Sequence, residues 1–271
     1  MNKLRFQVGK LLLFFSNKLL KLFGLPDIIN FKKILISRHV YNTFGGVIKE
    51  GPFSGVILPN RMSWGSSDQA SMILGLYERE VMDVITSLDP SISIFVDIGA
   101  ADGYYAVSST KKNIFSKAIC YELTNQGRQV IKENAILNDV EKNIEIRGQA
   151  SSGFFNEIEV NDLEKSFFLM DIEGAEFDLL DEQALNKLRK SHLLIELHAA
   201  RVEQGELKLK NLLSMASRYF ETEIIETSSR DPYKSISLKK ANLSDNEVWI
   251  LCAEGRKKRG KWLYLIPKNA N

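Results

Sequence analysis

The sequence predicts an α/β fold in which a parallel sheet is covered by helices on both faces. Five apolar runs, ISIFVDIG, KAICYEL, NIEIRG, SFFLMDI and HLLIEL, follow one another from residue 92 onward. Near-continuous apolar strands of this kind are buried on both faces. Helical stretches or loops separate them, among them NQGRQVIKENAILN and EFDLLDEQALNKLRK, and strands joined through such crossovers lie parallel. A third observation closes the sheet. FETEIIET and NEVWILCAE are strand-like and linked by a polar loop without helical spacing, which predicts an antiparallel pair.

The elements divide the chain of 271 residues into four parts. Residues 1–24 read as a basic amphipathic helix. Leu4, Val8, Leu11, Leu12, Phe15, Leu19, Leu22 and Phe23 share one face, Lys3, Lys10 and Lys21 fall on the other, and Gly24 and Pro26 end it. The run LLLFF between Lys10 and Lys18 is too short to span a bilayer, and no small-residue cleavage site follows. Such a helix fits peripheral contact with an anionic membrane, or packing on the protein's own core. Residues 25–90 form a lead-in expected to cap the acceptor side. It holds a hairpin at 45–58 turned by Gly-Pro, and one long helix through Ala70, Ile73, Leu74, Tyr77, Val81, Val84, Ile85 and Leu88, stopped by Asp89-Pro90. Residues 91–255 are the core, and 256–271 a basic, solvated tail beginning RKKRGKW.

Composition narrows the setting. Hydrophobic residues make up 44% and charged residues 26%, an ordinary globular balance. The net charge of +2 is too small to imply a polyanionic partner for the whole surface. Cys120 and Cys252 sit in apolar runs and read as reduced thiols. The three histidines lack the Cys/His clustering of a zinc site. The expected location is cytoplasmic.

The first core strand runs into Asp97-Ile98-Gly99-Ala100-Ala101-Asp102-Gly103. Glycine at the carboxyl end of a first strand lets a ligand approach the backbone. The loop lacks the G-x-G-x-x-G spacing that cradles a pyrophosphate, and it carries a carboxylate at each end. Carboxylates repel phosphate and suit a cationic ligand with free hydroxyls. S-adenosylmethionine (SAM), with its ammonium, sulfonium and ribose, is such a ligand. Glu122 ends the next strand about twenty residues on, where an acid accepts hydrogen bonds from ribose hydroxyls. Gln149 ends the third strand, where its amide can face adenine. The expected cofactor contacts are thus Asp97, Gly99, Ala100, Asp102, Gly103, Tyr105, Glu122, Leu123, Gln149 and Ala150.

FVDIGAADGYYAV, YEL, FLMDIEGAEFDLL and LLIELH, with GLYEREVMDVI upstream and NEVWIL downstream, resemble the FkbM-like SAM-dependent methyltransferases. The resemblance spans residues 45–252, and the D-I-E-G-A-E block is its most specific part. It implies a Rossmann-like, mostly parallel seven-stranded sheet with an antiparallel last strand. It also implies methyl transfer, usually to oxygen, on small molecules such as sugars, glycan units or polyketide-type metabolites. Gln149 departs from the aspartate of many class I enzymes.

In that strand order the fourth strand lies beside the first, where ligands bind beyond the strand ends. Asp171 closes the fourth strand and is expected to face the transferred methyl. Glu173 follows in the loop, either in the site or capping the next helix. Glu176 and Asp178 are read as acids of a first helical turn complementing the macrodipole. The fifth strand delivers Glu196 and His198 to the same rim by alternation. The expected catalytic residues are Asp171, which orients the acceptor hydroxyl, His198 as base, and Glu173. A divalent metal on Asp171, Glu196 and His198 is the weaker alternative, and no metal ligand is assigned.

Two other classes compete. A nucleic-acid amino methyltransferase favours an Asn/Asp-Pro-Pro-aromatic block after the fourth strand. DIEG stands there instead, and Asp231-Pro232-Tyr233 reads as a turn. The second is a non-catalytic binding protein on the same fold, which the intact loop acids and Glu122 disfavour. The expected partner is a small-molecule or glycan hydroxyl, not nucleic acid.

Overall fold

The computed structural model describes residues 3–253 and 259–268. Its centre is a seven-stranded sheet in the order β3-β2-β1-β4-β5-β7-β6. The strands are β1 (Ile94–Ile98), β2 (Lys117–Tyr121), β3 (Ile144–Arg147), β4 (Ser166–Met170), β5 (His192–Glu196), β6 (Phe220–Glu226) and β7 (Lys261–Pro267). Strands β1 to β5 pair in parallel, and β7 runs antiparallel to both β5 and β6. The predicted Rossmann-like sheet with an antiparallel last strand is therefore the observed fold.

Helices α1 (Lys3–Leu22), α2 (Ile28–Phe44), α3 (Gln69–Ile73) and α4 (Arg79–Ser87) precede the sheet. Helices α5 (Tyr104–Lys111), α6 (Asn125–Leu137), α7 (Val160–Leu163), α8 (Glu176–Leu179), α9 (Glu182–Lys187) and α10 (Gly205–Ala216) alternate with strands, and α11 (Leu238–Ala241) and α12 (Asp245–Leu251) lie between β6 and β7. Alternation along each strand divides the core. Val96, Ile98, Phe168, Met170, Leu193 and Ile195 pack with Leu180, Ala184, Leu185, Leu188 and Leu212 on one face. Phe95, Phe167, Leu169 and Leu194 pack with Val81, Val107, Ile131 and Trp262 on the other. A third cluster joins Ile36, Val40 and Phe44 of α2 to Phe53, Val56, Leu58 and Ile73, and to Val248 and Leu251 of α12.

The structure corrects four expectations. The long helix is two, because Gly75 (φ +68) and Glu78 (φ +38) turn the chain in the left-handed region. A Cβ on Gly75 would lie 2.6 Å from the Glu50 carbonyl oxygen, so that turn is packed as well as bent. The hairpin at 45–58 is a single antiparallel bridge, Val47 with Ile57, amid turns. NEVWILCAE is not a strand. Its apolar residues belong to α12, started by a capping box in which Ser244 and Glu247 satisfy each other's backbone. The partner strand is instead KWLYLIP, inside the stretch read as a solvated tail, with Trp262 to Leu265 buried. Arg256, Lys257 and Lys258 of that basic run lie outside the described residues.

Helix α1 forms as expected, and from Val8 onward its apolar side chains are exposed apart from the half-buried Leu20, with Leu11, Leu12, Phe15, Leu19 and Leu22 among the exposed ones. Leu13 and Phe14 are exposed too, so the apolar surface is wider than one face. The side chains of Lys3 and Leu4 lie outside the described part. Among the described residues no helix is long and apolar enough to cross a membrane. Helix α2 follows in a stretch for which the sequence reading named no element. Asp27 caps it by accepting from Ile29 and Asn30 backbone N–H groups.

Candidate functional site

The strand order reverses direction between β1 and β4, and the loops after these strands meet. Gly99 takes φ +90, and a Cβ there would lie 2.0 Å from the Asp171 carbonyl oxygen. Asp171 N–H in turn donates to the Ile98 carbonyl at 3.0 Å. The two acidic motifs are thus one continuous piece of backbone contact. Past Gly99 the loop holds Ala101 at φ +48 and Gly103 at φ +72, left-handed turns that glycine adopts without strain. Ala100 N–H and Gly99 N–H both donate to the Tyr121 carbonyl, which fixes the loop beside the end of β2.

Glu122 is buried at that end. Its Oε2 accepts from Ala101 N–H at 3.0 Å, and its Oε1 accepts from the Thr124 N–H at 2.8 Å and hydroxyl at 2.7 Å. Gly127 makes room for it, since a Cβ there would lie 2.7 Å from Glu122 Cγ. Leu123 is exposed beside it, Gln149 is exposed at the end of β3, and Ala150 is half-buried against the core.

Two expected cofactor contacts are occupied otherwise. Asp102 Oδ1 accepts from Ser63 N–H at 2.6 Å and Ser63 hydroxyl at 2.5 Å, and Oδ2 accepts from Trp64 N–H at 3.0 Å and Gly65 N–H at 2.8 Å. A carboxylate has about four lone-pair positions, so Asp102 ties the lead-in to the loop and has none left for a ligand. The Tyr105 hydroxyl donates to Glu78 Oε2 at 2.5 Å, and its ring packs with Phe53, Tyr77 and Tyr104. The hydrogen-bonding partners lie 27 to 39 residues upstream, beyond the reach of any local pattern. In the lead-in, Trp64 is exposed, while Asp68 is paired to the buried Lys33 at 2.5 Å.

Asp97 is buried beneath the loop. Burial first, and then the neighbouring Asp171 and Glu122, push its carboxyl up to about 8. Its unfolded value is near 3.8, so the folded state favours the protonated form. Stability from this group is full below about pH 4 and is lost as pH rises through about 8. Asp97→Asn is therefore expected to raise the melting temperature little at pH 4.5 and by several degrees at pH 8, at about 2–4 °C per kcal/mol. Thermal unfolding at the two pH values checks this, and an equal shift at both would contradict it.

The carboxyl ends of β4 and β5 build the second half. His198, 5% exposed at its side chain, directs Nε2 toward Asp171 Oδ1 at 3.6 Å, Glu196 Oε2 at 3.6 Å and Glu173 Oε2 at 3.5 Å. Glu173 sits in a left-handed turn at φ +58 and forms an ion pair with Arg201. It does not cap α8, whose N-cap Ala175 makes no side-chain bond. Asp171, Glu173 and His198 are therefore together, as the sequence reading expected.

Glu176 opens α8 as an acid of its first turn, as expected, but it does not face solvent. It is fully buried, its Oε1 accepts from His198 N–H at 2.8 Å, and its Oε2 accepts from Gly174 N–H at 2.8 Å. His198 Nδ1 faces the same Oε1 at 3.5 Å. Burial alone pushes the Glu176 carboxyl up, but the bonds from His198 hold it below its ordinary value. The signal was partly present in the spacing: Glu176 stands one turn before the fully buried Leu180, although the expected single helix breaks there into α8 and α9. Asp178 alone behaves as a surface acid, 3.1 Å from Lys208. Glu176→Ala would orphan two buried N–H groups at about 1–3 kcal/mol each. The expected loss is about 2–4 kcal/mol in urea unfolding, whereas Asp178→Ala stays within about 0.5 kcal/mol.

No protein-family model matches the chain, and no curated protein matches it. Among solved structures it is similar to an uncharacterized protein from Listeria monocytogenes, at 15% identity and TM-score 0.46, over 71% of this chain and 69% of that one. A putative tRNA (m1A22) methyltransferase from Streptococcus pneumoniae, in complex with S-adenosyl-L-methionine, matches at 15% identity and TM-score 0.42, over 71% and 74%. A putative O-methyltransferase from Klebsiella pneumoniae matches at 11% identity and TM-score 0.42, over 93% and 96%. Likeness at this level assigns no activity, substrate or partner to the chain. What the site's own geometry offers is a group of acids at the strand ends, with a glycine loop on one side and a histidine among carboxylates on the other.

Proposed function

We propose that the chain is a SAM-dependent methyltransferase of the FkbM-like kind, acting on a hydroxyl of a small molecule or glycan unit. The observation that carries this is the contact of Gly99 with Asp171, which sets the loop beneath Glu122 against the cluster around His198. Glu122 Oε2 has one backbone donor and a second lone pair for a ribose hydroxyl. Leu123, Gln149 and Ala150 flank the adenine, and the acids around Asp97 suit the ammonium and sulfonium charges. Asp102 acts as a strut for the loop.

The acceptor hydroxyl lies between Asp171 and the methyl. Its oxygen forms the new C–O bond, the C–S bond breaks with its electron pair going to sulfur, and the sulfonium becomes a neutral thioether. Asp171 orients the hydroxyl, and His198 Nε2 takes its proton, with Nδ1–H directed at Glu176. Alignment of the three reacting atoms supplies much of the acceleration. The test is incubation with methyl-labelled SAM and a panel of hydroxyl acceptors, with transfer RNA in competition. Label on a hydroxyl acceptor supports the reading, and label on RNA alone overturns it.

The exposed apolar surface of α1, with Lys10, Lys18 and Lys21 beside it, supports peripheral contact with an anionic membrane. The full chain is expected to co-float with vesicles containing phosphatidylserine, and Leu12→Glu with Phe15→Glu to abolish this. Equal flotation of the double variant would remove the proposal.

A further inference from the structure

We propose that Asp171, Glu196 and His198 form a binding site for a divalent first-row cation such as Mn2+. One atom from each lies within 4.8 Å of the other two. His198 Nε2 stands 3.6 Å from Asp171 Oδ1 and 3.6 Å from Glu196 Oε2. At these separations an N–H···O contact is not a hydrogen bond. Adjacent ligands about 2.1 Å from an octahedral ion sit about 3.0 Å apart and tetrahedral ones about 3.4 Å, so a closing of about half an ångström brings these groups into a shared coordination sphere. The three groups therefore converge at a spacing that suits a shared ion better than one another.

Three further features fit. Asp171 Oδ1 is buried and has no hydrogen-bond partner, although the rest of its side chain is 42% exposed. That leaves one oxygen turned inward to an ion and an open side for water or a substrate oxygen. Behind His198, the fully buried Glu176 holds the backbone N–H and faces Nδ1 at 3.5 Å. Nδ1 has no hydrogen bond at that distance, so Glu176 fixes His198 through the backbone, and a small closing of the Nδ1–Oε1 gap would orient a metal-binding imidazole. Finally, the ligands come from the ends of the adjacent buried strands β4 and β5, so the scaffold is rigid. One nitrogen and two carboxylate oxygens suit Mn2+ better than all-oxygen Ca2+ or thiolate-seeking metals.

The ion site stands on this geometry, whereas its use rests on the methyltransferase reading. With the cation bound, the acceptor oxygen becomes a further ligand. A bound ion would supply Lewis acidity that lowers the hydroxyl's pKa, so that the proton would pass to solvent as the oxygen forms its bond to the methyl and the C–S bond breaks toward sulfur. With the ion bound, His198 Nε2 is engaged as a ligand, so this scheme replaces its role as base in the metal-free reaction, and Glu173, paired with Arg201, rims the site.

The experiment titrates Mn2+ into the full chain, with and without SAM, reading free ion by electron paramagnetic resonance and SAM by calorimetry. One Mn2+ per chain is expected, weakened at least tenfold in both His198→Ala and Glu196→Gln, with circular dichroism confirming folded variants. No binding by the wild type below millimolar Mn2+, or equal binding by folded variants, overturns the site. SAM binding without Mn2+ binding sinks this inference alone. Mn2+ binding without SAM binding supports the ion site and sinks the methyltransferase reading.

Discussion

Gly99→Ala is expected to destabilise the protein by about 3 kcal/mol or more, among the largest single-residue effects in the chain. Two costs add. The residue holds φ +90, where a side chain is strained. Its new Cβ would also lie 2.0 Å from the Asp171 carbonyl oxygen. Neither side has room to yield. β1 and β4 are paired along their whole length and buried at every position, so relief requires prising apart the two central strands. Gly148→Ala is the control: a Cβ there meets nothing within 4 Å, and a surface change of this sort stays within about 0.5 kcal/mol. Urea unfolding midpoints read both. A Gly99→Ala midpoint equal to that of Gly148→Ala would mean that the two acidic loops are not held together as described.

Asp171→Asn is expected to lower methyl transfer by about 10²–10⁴-fold while leaving SAM affinity within a few-fold. The carboxylate ends β4 with one oxygen buried and turned toward His198 Nε2. Its neighbour across the sheet is the cofactor loop, but through the main-chain carbonyl and N–H, which the substitution keeps. The variant thus separates orientation of the acceptor from cofactor binding. Labelled SAM with the accepted hydroxyl substrate measures the first, and calorimetry the second. Near-normal turnover in both Asp171→Asn and His198→Ala would remove this cluster from the chemistry.

The sheet was legible because β1, β2, β4 and β5 are buried on both faces through their middles, where their sequences are almost entirely apolar. The same rule misled at the C-terminus. Val248, Trp249, Ile250 and Leu251 are consecutive and apolar, yet Val248 and Leu251 are buried three residues apart on a helix and Trp249 is exposed. The capping box at Ser244 and Glu247 was the better guide. KWLYLIP was hidden by the basic residues before it, although it is too apolar to remain solvated. Around the site, Asp97, Asp171 and His198 could be placed because each ends a strand or follows one closely. The partners of Asp102 and Tyr105 could not, since long-range hydrogen bonds leave no trace in periodicity. Glu176 lay between these cases: its four-residue spacing from Leu180 was readable, but a charge at that position argued for the surface until its two buried donors were seen.

We propose that SAM binds at the carboxyl ends of β1, β2 and β4. Calorimetric titration of SAM into the full chain tests it most directly. One binding site per chain is expected, weakened at least tenfold by Glu122→Gln, which disturbs the acid that accepts from Ala101 N–H. A folded wild-type protein that gives no binding heat with SAM at several temperatures, or a Glu122→Gln variant that binds equally well, would contradict it.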